Sequence, residues 1–334
     1  MKHRFIVITT VYSPTRCLHA FAEGLGSSDS LIVVGDKKGP AEFHLPNARF
    51  YALQDQLNLD FSFPGFCPTG HYARKNIGYL LAIAKGAQVI IDTDDDNYPL
   101  TEFWAERRSI QNGSICDQNG WVNVYRYFSE ANIWPRGLPL DQVRQEPVDY
   151  DQLPVAEINC PIQQGLANEN PDVDAVYRLL FSLPQFFRDD RRVILTGDSW
   201  CPFNSQNTTW FKEAFPLLYL PAYCSFRMTD IWRSFIAQRV CKAQGWGILF
   251  DRPTVRQDRN EHDLNIDFAD EVPGYLGNHR IMQILRAVPL ETDALSLPEA
   301  ILACYEALVS AEFFPQKELI LLKTWLGDLA NCMD

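Results

Sequence analysis

Short apolar runs alternate with amphipathic segments along the first hundred residues of the chain. Four of these runs have the continuous apolar character of strands that are buried on both faces of a sheet; they cover residues 5–8, 31–34, 50–53 and 89–91. Between the runs, the spacing of apolar residues predicts helices over residues 16–25 and 72–84, and Gly86 is placed to end the second helix. Strands and helices that alternate in this way indicate right-handed β-α-β units and a mostly parallel sheet.

The pattern is weaker after residue 100. Residues 121–125 look like a strand, and Asn170-Pro171-Asp172 has the composition of a helix start, with asparagine as N-cap and proline at the first helical position. A further helix is predicted over residues 229–243, where Gly245 ends it. The fold class that follows is α/β, with a large sheet flanked by helices.

The C-terminal segment predicts two helices. Ser296-Leu297-Pro298-Glu299 has the form of a capping box and opens a helix to about residue 310, and Pro315 opens another to about residue 330. We interpret the pair as a C-terminal helical hairpin, over residues 291–334, that is appended to an α/β body over residues 1–290.

Composition excludes several classes of protein. Nearly half of the 334 residues are hydrophobic, so a substantial core can form, and the formal net charge of −12 argues against a nucleic-acid-binding protein. Nine cysteines without paired spacing indicate reduced thiols instead of disulfides or a structural zinc site. No signal peptide or transmembrane pattern is evident, so we expect a soluble cytoplasmic protein. The GxGxxG, GxxxxGK[ST], GxSxG and HExxH motifs are absent, which removes the enzyme classes that use them.

Polar residues follow three of the predicted strands directly. Thr9 and Thr10 end the first strand, Asp36 follows the second, and the acidic run Asp92-Thr93-Asp94-Asp95-Asp96 follows the fourth. In open sheets of this kind, ligands bind at the carboxyl ends of the strands. Adjacent carboxylates repel one another unless a positive charge is near, and Mg²⁺ or Mn²⁺ together with a diphosphate suits such a run. The alternative is that the run is a solvated strand end.

Arg74 and Lys75 lie at the start of the helix predicted over residues 72–84. Two cations at a helix N-terminus are unfavourable for the helix dipole but suit a phosphate or diphosphate. The alternative is that they pair with the aspartates of the neighbouring strand end.

Asp230 begins the helix predicted over residues 229–243. It either stabilises the helix terminus or deprotonates an acceptor hydroxyl, and Arg227 or Arg233 is placed to offset charge on a leaving diphosphate. His262, in a polar stretch, is a candidate additional metal ligand, although a surface histidine is the simpler interpretation.

With these motifs, the sequence resembles the STELLO family of glycosyltransferase-like proteins, whose catalytic-type domain has a glycosyltransferase-A fold. The resemblance covers about residues 5–280 and leaves the C-terminal helices outside. Its segments occur in the family's order: Val7–Thr10, Val33–Lys38, Tyr72–Leu80, Asp92–Asn97, Gln164–Leu166, Asn170–Ala175, Asn204–Thr208, Leu220–Arg227, Asp230–Arg233 and Gln238–Arg239.

The resemblance implies a metal-dependent glycosyltransferase, a hexosyl- or pentosyltransferase that inverts the anomeric carbon of a UDP-sugar. Residues 1–100 would form the nucleotide-binding half, and residues 101–290 the half that receives a glycan or another hydroxyl acceptor. Asp94 and Asp96 would be the outer residues of a DxD motif that binds Mn²⁺ or Mg²⁺, although Asp92 and Asp94 also form a DxD. The residues implied to contact the donor are Thr9, Thr10, Asp36, Arg74, Lys75, Asp94 and Asp95.

Two other functions stay open. The acidic triplet is also similar to that of reversibly glycosylated polypeptides, the UDP-arabinopyranose mutases, which would isomerise a nucleotide sugar without an acceptor. A non-catalytic scaffold that keeps the fold is the third possibility.

Overall fold

The computed structural model describes residues 3–40, 42–258, 263–290 and 296–333. The strands of these residues are, in chain order, β1 (Arg4–Thr10), β2 (Asp29–Gly35), β3 (Ala48–Tyr51), β4 (Val89–Thr93), β5 (Asn97–Pro99), β6 (Ile110–Cys116), β7 (Gly120–Trp121), β8 (Val155–Asn159), β9 (Ile162–Asn168), β10 (Val193–Leu195), β11 (Ser199–Trp200), β12 (Asn207–Phe211) and β13 (Ile248–Gln257). The α-helices are α1 (Arg16–Gly24), α2 (Leu53–Leu57), α3 (Phe63–Phe66), α4 (Lys75–Ala84), α5 (Tyr125–Phe128), α6 (Ala175–Leu180), α7 (Thr229–Ala243), α8 (Leu264–Ala287), α9 (Leu297–Ser310) and α10 (Lys317–Met333).

Most of these strands form one large mixed sheet. Within the described residues it has eleven strands, in the order β3-β2-β1-β4-β12-β9-β13-β10-β6-β8 with β5 paired to β13. The first four are parallel, as the sequence predicts. Beyond β4 the prediction of a mostly parallel sheet is wrong, because β12 lies antiparallel to both β4 and β9, and β10 lies antiparallel to β13. Successive parallel strands need a crossover connection, usually a helix, and the sequence supplies that alternation clearly only in its first hundred residues.

The register of the parallel strands brings their polar ends together. β1 pairs with β2 so that Thr10 lies opposite Gly35, and it pairs with β4 so that Val7 lies opposite Asp92. The residues that follow Gly35 and Asp92 therefore lie at the same edge of the sheet as Thr10.

The bounds predicted from the sequence for α7 and for the start of α9 agree with the structure. α7 spans Thr229–Ala243, and α9 begins with the predicted capping box between Ser296 and Glu299. The start of α6 was placed too early: Asp174, not Asn170, is its N-cap and accepts from Tyr177 N, whereas the Asn170 side chain donates to Gln257 O.

Two other segments differ from the pattern. Of the strand-like residues 121–125, only Trp121 is in a strand, and Tyr125 begins the short helix α5. The long helix α8 has no counterpart among the predicted elements because Pro273 interrupts its sequence.

α9 and α10 are part of the same hydrophobic core as the α/β body. One cluster contains Val7 and Leu80 from the body together with Leu308 and Trp325 from these helices. α10 is therefore packed into the body, and two of its buried carboxylates bind backbone N–H groups there, as described next.

Glu318 and Asp328 carry those carboxylates. Asp328 accepts from Phe63 N (2.7 Å), and Glu318 accepts from Ala222 N (3.1 Å) and Tyr223 N (2.8 Å). α10 thus holds two loops of the body.

Candidate active site

A cavity of about 430 Å³ opens at the carboxyl ends of β1, β2 and β4. It contains most of the residues that the sequence nominates for ligand binding. The lining residues are Thr9, Thr10, Val11, Tyr12, Gly35, Asp36, Lys38, Gly70, His71, Tyr72, Arg74, Asp94, Asp95, Asp96, Arg136, Asp172, Gln206, Phe226, Arg227, Asp230 and Gln257.

Asp92 is the innermost residue of the acidic run and is fully buried. Its Oδ1 lies 2.6 Å from Lys75 Nζ, and its Oδ2 accepts from Ser205 Oγ (2.6 Å) and Arg233 Nη1 (3.1 Å). Two buried cations therefore neutralise Asp92, and it does not line the cavity. Of the two possible DxD registers, only Asp94 to Asp96 has both carboxylates in the cavity wall.

Lys75 lies behind that wall, not in it. Its side chain is fully buried, and Nζ donates to Thr93 O (2.6 Å) and to Asp94 Oδ1 (3.0 Å). Burial opposes the charge on Lys75, but Asp92 and Asp94 outweigh it and raise the pKa of the ammonium group. Lys75 does not line the cavity, so it is not placed to contact a diphosphate there. It is instead the counter-ion of the strand-end aspartates Asp92 and Asp94.

Asp94, Asp95 and Asp96 are half-buried in the wall of the cavity. Each accepts a hydrogen bond from a neutral side chain: Asp94 from Tyr72 Oη (2.9 Å), Asp95 from Thr10 Oγ1, and Asp96 from Gln257 Nε2 (3.1 Å). Burial raises the pKa of Asp94, and it raises the pKa of Asp95 to about 6. This side of the cavity favours a bound cation, because such a charge would offset the cost of ionising these groups.

The carboxylate oxygens of this side of the cavity suit a hard cation that also binds phosphate. Within the described ranges, no three His, Cys, Asp or Glu side chains are grouped so as to hold a metal by themselves. Mg²⁺ is commonly bound by one or two carboxylates plus substrate phosphates and water, which Asp94 and Asp96 can provide in part. His262, the third candidate ligand, lies outside the described residues.

Asp36 and Arg74 line the cavity beside the end of β2, and both form hydrogen bonds with the backbone of the loop over residues 67–71. Asp36 accepts from Gly70 N and His71 N, each at 2.9 Å. Arg74 is almost fully buried and donates to Gln56 Oε1 (2.8 Å) and Cys67 O (3.0 Å), while burial lowers the pKa of its guanidinium. Both residues therefore fix the backbone over residues 67–71 as well as bordering the cavity.

Arg136 and two aspartates form the opposite side of the cavity. Arg136 Nε donates to Asp172 Oδ1 (2.8 Å), and Nη2 donates to Asp172 Oδ2 (2.8 Å) and to both oxygens of Asp230 (3.1 and 3.0 Å). Asp230 Oδ2 also accepts from Ser205 N (3.1 Å). Burial disfavours the ionised form of Asp230, but the charge and hydrogen bonds of Arg136, the charge of Arg233 and the hydrogen bond from Ser205 N together outweigh burial and lower the pKa of this carboxyl group. Asp230 is thus held as an anion.

Arg227 lies next to Asp230 in the cavity wall. Its Nε and Nη2 donate to Glu271 Oε1 (3.0 and 2.8 Å), and its side chain is 12% exposed. Arg136 Nη1 donates to the backbone oxygen of Arg227, which ties the two arginines together.

Aromatic side chains form the mouth of the cavity. Phe226 is 53% exposed, and its ring meets those of His71 and Tyr72 edge to face at centroid distances of 6.0 and 6.1 Å. Tyr12, at the other lining segment, is 51% exposed. Exposed aromatic surface beside polar groups is typical of ligand-binding clefts.

Sequence reasoning missed several lining residues, above all Arg136, Asp172, Gln206 and Gln257. Asp172 and Gln206 lie in segments of the family resemblance, and Asp172 also lies in a predicted helix start, but the sequence gives neither a role in the cavity. Arg136 lies in the irregular segment Pro135-Arg136-Gly137, where no periodicity or motif marks it. Lys38 was part of a family motif but was not assigned a role, although it lines the cavity.

Among the described residues, none of the helices has the length and apolar character needed to cross a membrane.

Comparison with known proteins finds similarity to one family. The family model described as STELLO glycosyltransferases matches residues 227–333, a range that contains α7 to α10. The C-terminal helices, which the sequence motifs left outside the resemblance, are therefore inside it.

Two curated proteins of Arabidopsis thaliana are similar to 98% of this chain: the probable glycosyltransferase STELLO2, at 28% identity over 346 residues, and the probable glycosyltransferase STELLO1, at 27% over 347. The chain spans 44% of the length of each, which is less than half. The resemblance found in the motifs is confirmed: the chain is similar to the STELLO glycosyltransferases over nearly its whole length.

Proposed function

We propose that the cavity binds a UDP-sugar with Mn²⁺ or Mg²⁺ and transfers the sugar, with inversion, to a hydroxyl of a glycan or another acceptor. The observation that carries the proposal is the pairing of unlike walls around one cavity. On one side, Asp94, Asp95 and Asp96 lie at the strand ends, and burial raises the pKa values of Asp94 and Asp95. On the other side, Asp230 and Arg227 lie together.

The donor occupies the strand-end side. Thr9, Thr10 and Asp36 border the nucleoside, and Arg74 holds the loop that closes over it. Asp94 and Asp96 would hold the metal, which, when bound, would supply positive charge to the diphosphate leaving group.

Asp230 is the proposed base. Its Oδ1 accepts only from Arg136 Nη2 among the described residues, so it retains a lone pair for an acceptor hydroxyl. The acceptor oxygen attacks the anomeric carbon, its proton passes to Asp230, and the bond from that carbon to the diphosphate oxygen breaks with the electron pair leaving on UDP. The lowered pKa keeps Asp230 ionised before the reaction.

Arg227 is the proposed cation for the leaving group. Arg227 lines the same cavity as Asp94 and Asp96, so its positive charge lies within the space that would hold the diphosphate and would stabilise the charge that develops on it.

Calorimetry with UDP, with and without Mn²⁺, tests the donor site. Wild-type protein is expected to bind UDP more tightly with Mn²⁺, and the double variant Asp94→Ala plus Asp96→Ala is expected to lose that increment. Asp190→Ala, an exposed carboxylate paired to Arg188 far from the cavity lining, is the matched control. Unchanged UDP binding in the double variant would contradict the proposed donor site.

Incubation with UDP-hexoses and UDP-pentoses tests the reaction itself. A transferase leaves the donor intact, or hydrolyses it slowly, until an acceptor is added. Isomerisation of the donor without acceptor would establish a mutase instead. A protein that binds no nucleotide and turns over no donor would be a scaffold.

A further inference from the structure

Glu271 on α8 is a buried carboxylate behind the cavity, and the proposed reaction gives it no role. It is fully buried and does not line the cavity. Oε1 accepts from Arg227 Nε (3.0 Å) and Nη2 (2.8 Å), and Oε2 accepts from Ala175 N (2.7 Å) and Tyr275 Oη (2.5 Å). Four donors converge on one side chain.

The contact with Arg227 is directional. A carboxylate that receives both Nε and Nη2 fixes the plane of the guanidinium, whereas a distant charge would not. Asp267 Oδ1 lies 3.9 Å from Nε, Nη1 donates no hydrogen bond within the described residues, and Arg227 lines the cavity. The edge that Nη1 forms is therefore the part of Arg227 left for an anionic ligand.

Glu271 also joins the two sides of the arginine network. Its Oε2 binds the backbone of Ala175, three residues after Asp172, which pairs with Arg136. Arg136 in turn donates to the backbone oxygen of Arg227. The network closes on itself, so the backbone and the side chain of Arg227 are both held.

We propose that Glu271 is a positioning residue that aims the Nη1 edge of Arg227 at the diphosphate of the donor. The inference rests on the proposed function, because it requires a diphosphate in the cavity. A free arginine side chain has many rotamers, and ordering it on ligand binding costs affinity. Glu271 already orders the Arg227 side chain in the folded protein. Its effect on affinity is therefore expected for ligands with phosphates and not for the nucleoside alone.

A double-mutant cycle tests the proposal by calorimetry with UDP and with uridine, both in the presence of Mn²⁺. The variants are Glu271→Gln, Arg227→Gln and the two combined. Glu271→Gln is expected to weaken UDP binding about tenfold, in line with couplings between contacting residues, and to leave uridine binding unchanged. In the Arg227→Gln background, Glu271→Gln is expected to add nothing.

Tyr275→Phe is the matched control. It removes a different donor to Glu271 and leaves the Arg227 contact in place, so UDP affinity is expected to stay at the wild-type value. If Glu271→Gln does not fold, as thermal unfolding would show, Arg227→Lys replaces it: lysine keeps the charge but cannot make the two-nitrogen contact, and the preference for UDP over uridine is expected to fall by a similar factor.

Three outcomes would overturn the inference. They are an unchanged UDP affinity in Glu271→Gln, an equal loss for UDP and uridine, and a full additional loss in the Arg227→Gln background. Wild-type protein that binds no UDP would overturn the proposed function itself, and this inference with it.

Discussion

The two sides of the cavity treat their carboxylates in opposite ways. On the strand-end side, burial raises the pKa of Asp94 and takes that of Asp95 to about 6. On the far side, Asp230 is also buried, yet Arg136, Arg233 and the N–H of Ser205 together outweigh burial and lower its pKa. Burial is common to both sides, so the difference comes from the cations and hydrogen-bond donors placed around each carboxylate.

The comparison shows which side is built to accept charge. The pKa values of Asp94 and Asp95 stay raised although Lys75 pairs with Asp94, so these carboxylates gain from a further cation brought by a ligand, whereas Asp230, already paired with Arg136, gains less from one. The strand-end side therefore fits the proposed metal with a diphosphate, and the far side already carries its cations.

Removal of Arg136 should have the largest effect. Arg136→Leu would leave Asp172 and Asp230 buried without their cation, and we expect a loss of about 3–5 kcal/mol in the free energy of unfolding, measured in urea. Arg188→Ala, which breaks an exposed pair with Asp190, is the control and should not change stability measurably. A small loss in Arg136→Leu would mean that the far side is not held by this cation.

Neutralisation of the strand-end side should have the opposite sign. Because the pKa of Asp95 is raised in the folded protein, its ionised form costs stability at pH 8, and Asp95→Asn should stabilise the ligand-free protein by about 1–2 kcal/mol. The gain should vanish as the pH falls through about 6 towards the value of an unfolded aspartate, since the wild-type carboxyl group is then protonated. Asp230→Asn should destabilise at pH 8, and a stabilised Asp230→Asn would contradict the comparison.

The pH dependence of ligand binding should follow the same division. Mn²⁺-dependent UDP binding should weaken as the pH falls through about 6, because protonation of Asp95 removes a negative charge next to the proposed metal ligands Asp94 and Asp96, by at most about tenfold per pH unit for one proton. Asp230 should not contribute in this range, since its pKa is lowered. Calorimetry between pH 5 and pH 8 checks this, and Asp95→Asn should flatten the profile.

Phe226 should have the smallest effect on the fold. Its ring is 53% exposed, so Phe226→Ala should change the free energy of unfolding by no more than about 0.5 kcal/mol, and it should lower ligand affinity if the mouth of the cavity takes part in binding. Leu276→Ala on α8 is the control, because Leu276 is 82% exposed and does not line the cavity. Equal ligand affinity in the two variants would remove Phe226 from the binding surface.

The parts of the fold that the sequence predicts depend on local signals. The four parallel strands follow from continuous apolar runs, and α9 follows from the Ser296–Glu299 capping box. The antiparallel insertion of β12 beside β4 depends on contacts between distant segments, which no local pattern records. α8 was not predicted because a proline inside a sequence usually ends a helix. Here the helix continues on both sides of Pro273, where tertiary packing holds it.

The candidate site divides in the same way. Asp94, Asp95 and Asp96 follow a strand directly, so strand-end placement is enough to find them. Arg136 and Glu271 act through partners far along the chain, so their roles appear only when the fold brings those partners together. The sequence left open whether Lys75 binds a diphosphate or pairs with the strand-end aspartates, and the structure shows the pairing, which depends on burial that the sequence does not reveal.

The tethers from α10 have a consequence for the order of synthesis. Glu318 and Asp328 leave the ribosome after the segments that line the cavity, yet they accept the backbone N–H groups of Tyr223 and Phe63. Until α10 docks, those loops lack their acceptors. The parallel strands of a nascent chain are therefore synthesised early, but these two segments gain their hydrogen bonds to Glu318 and Asp328 only after α10 has been translated.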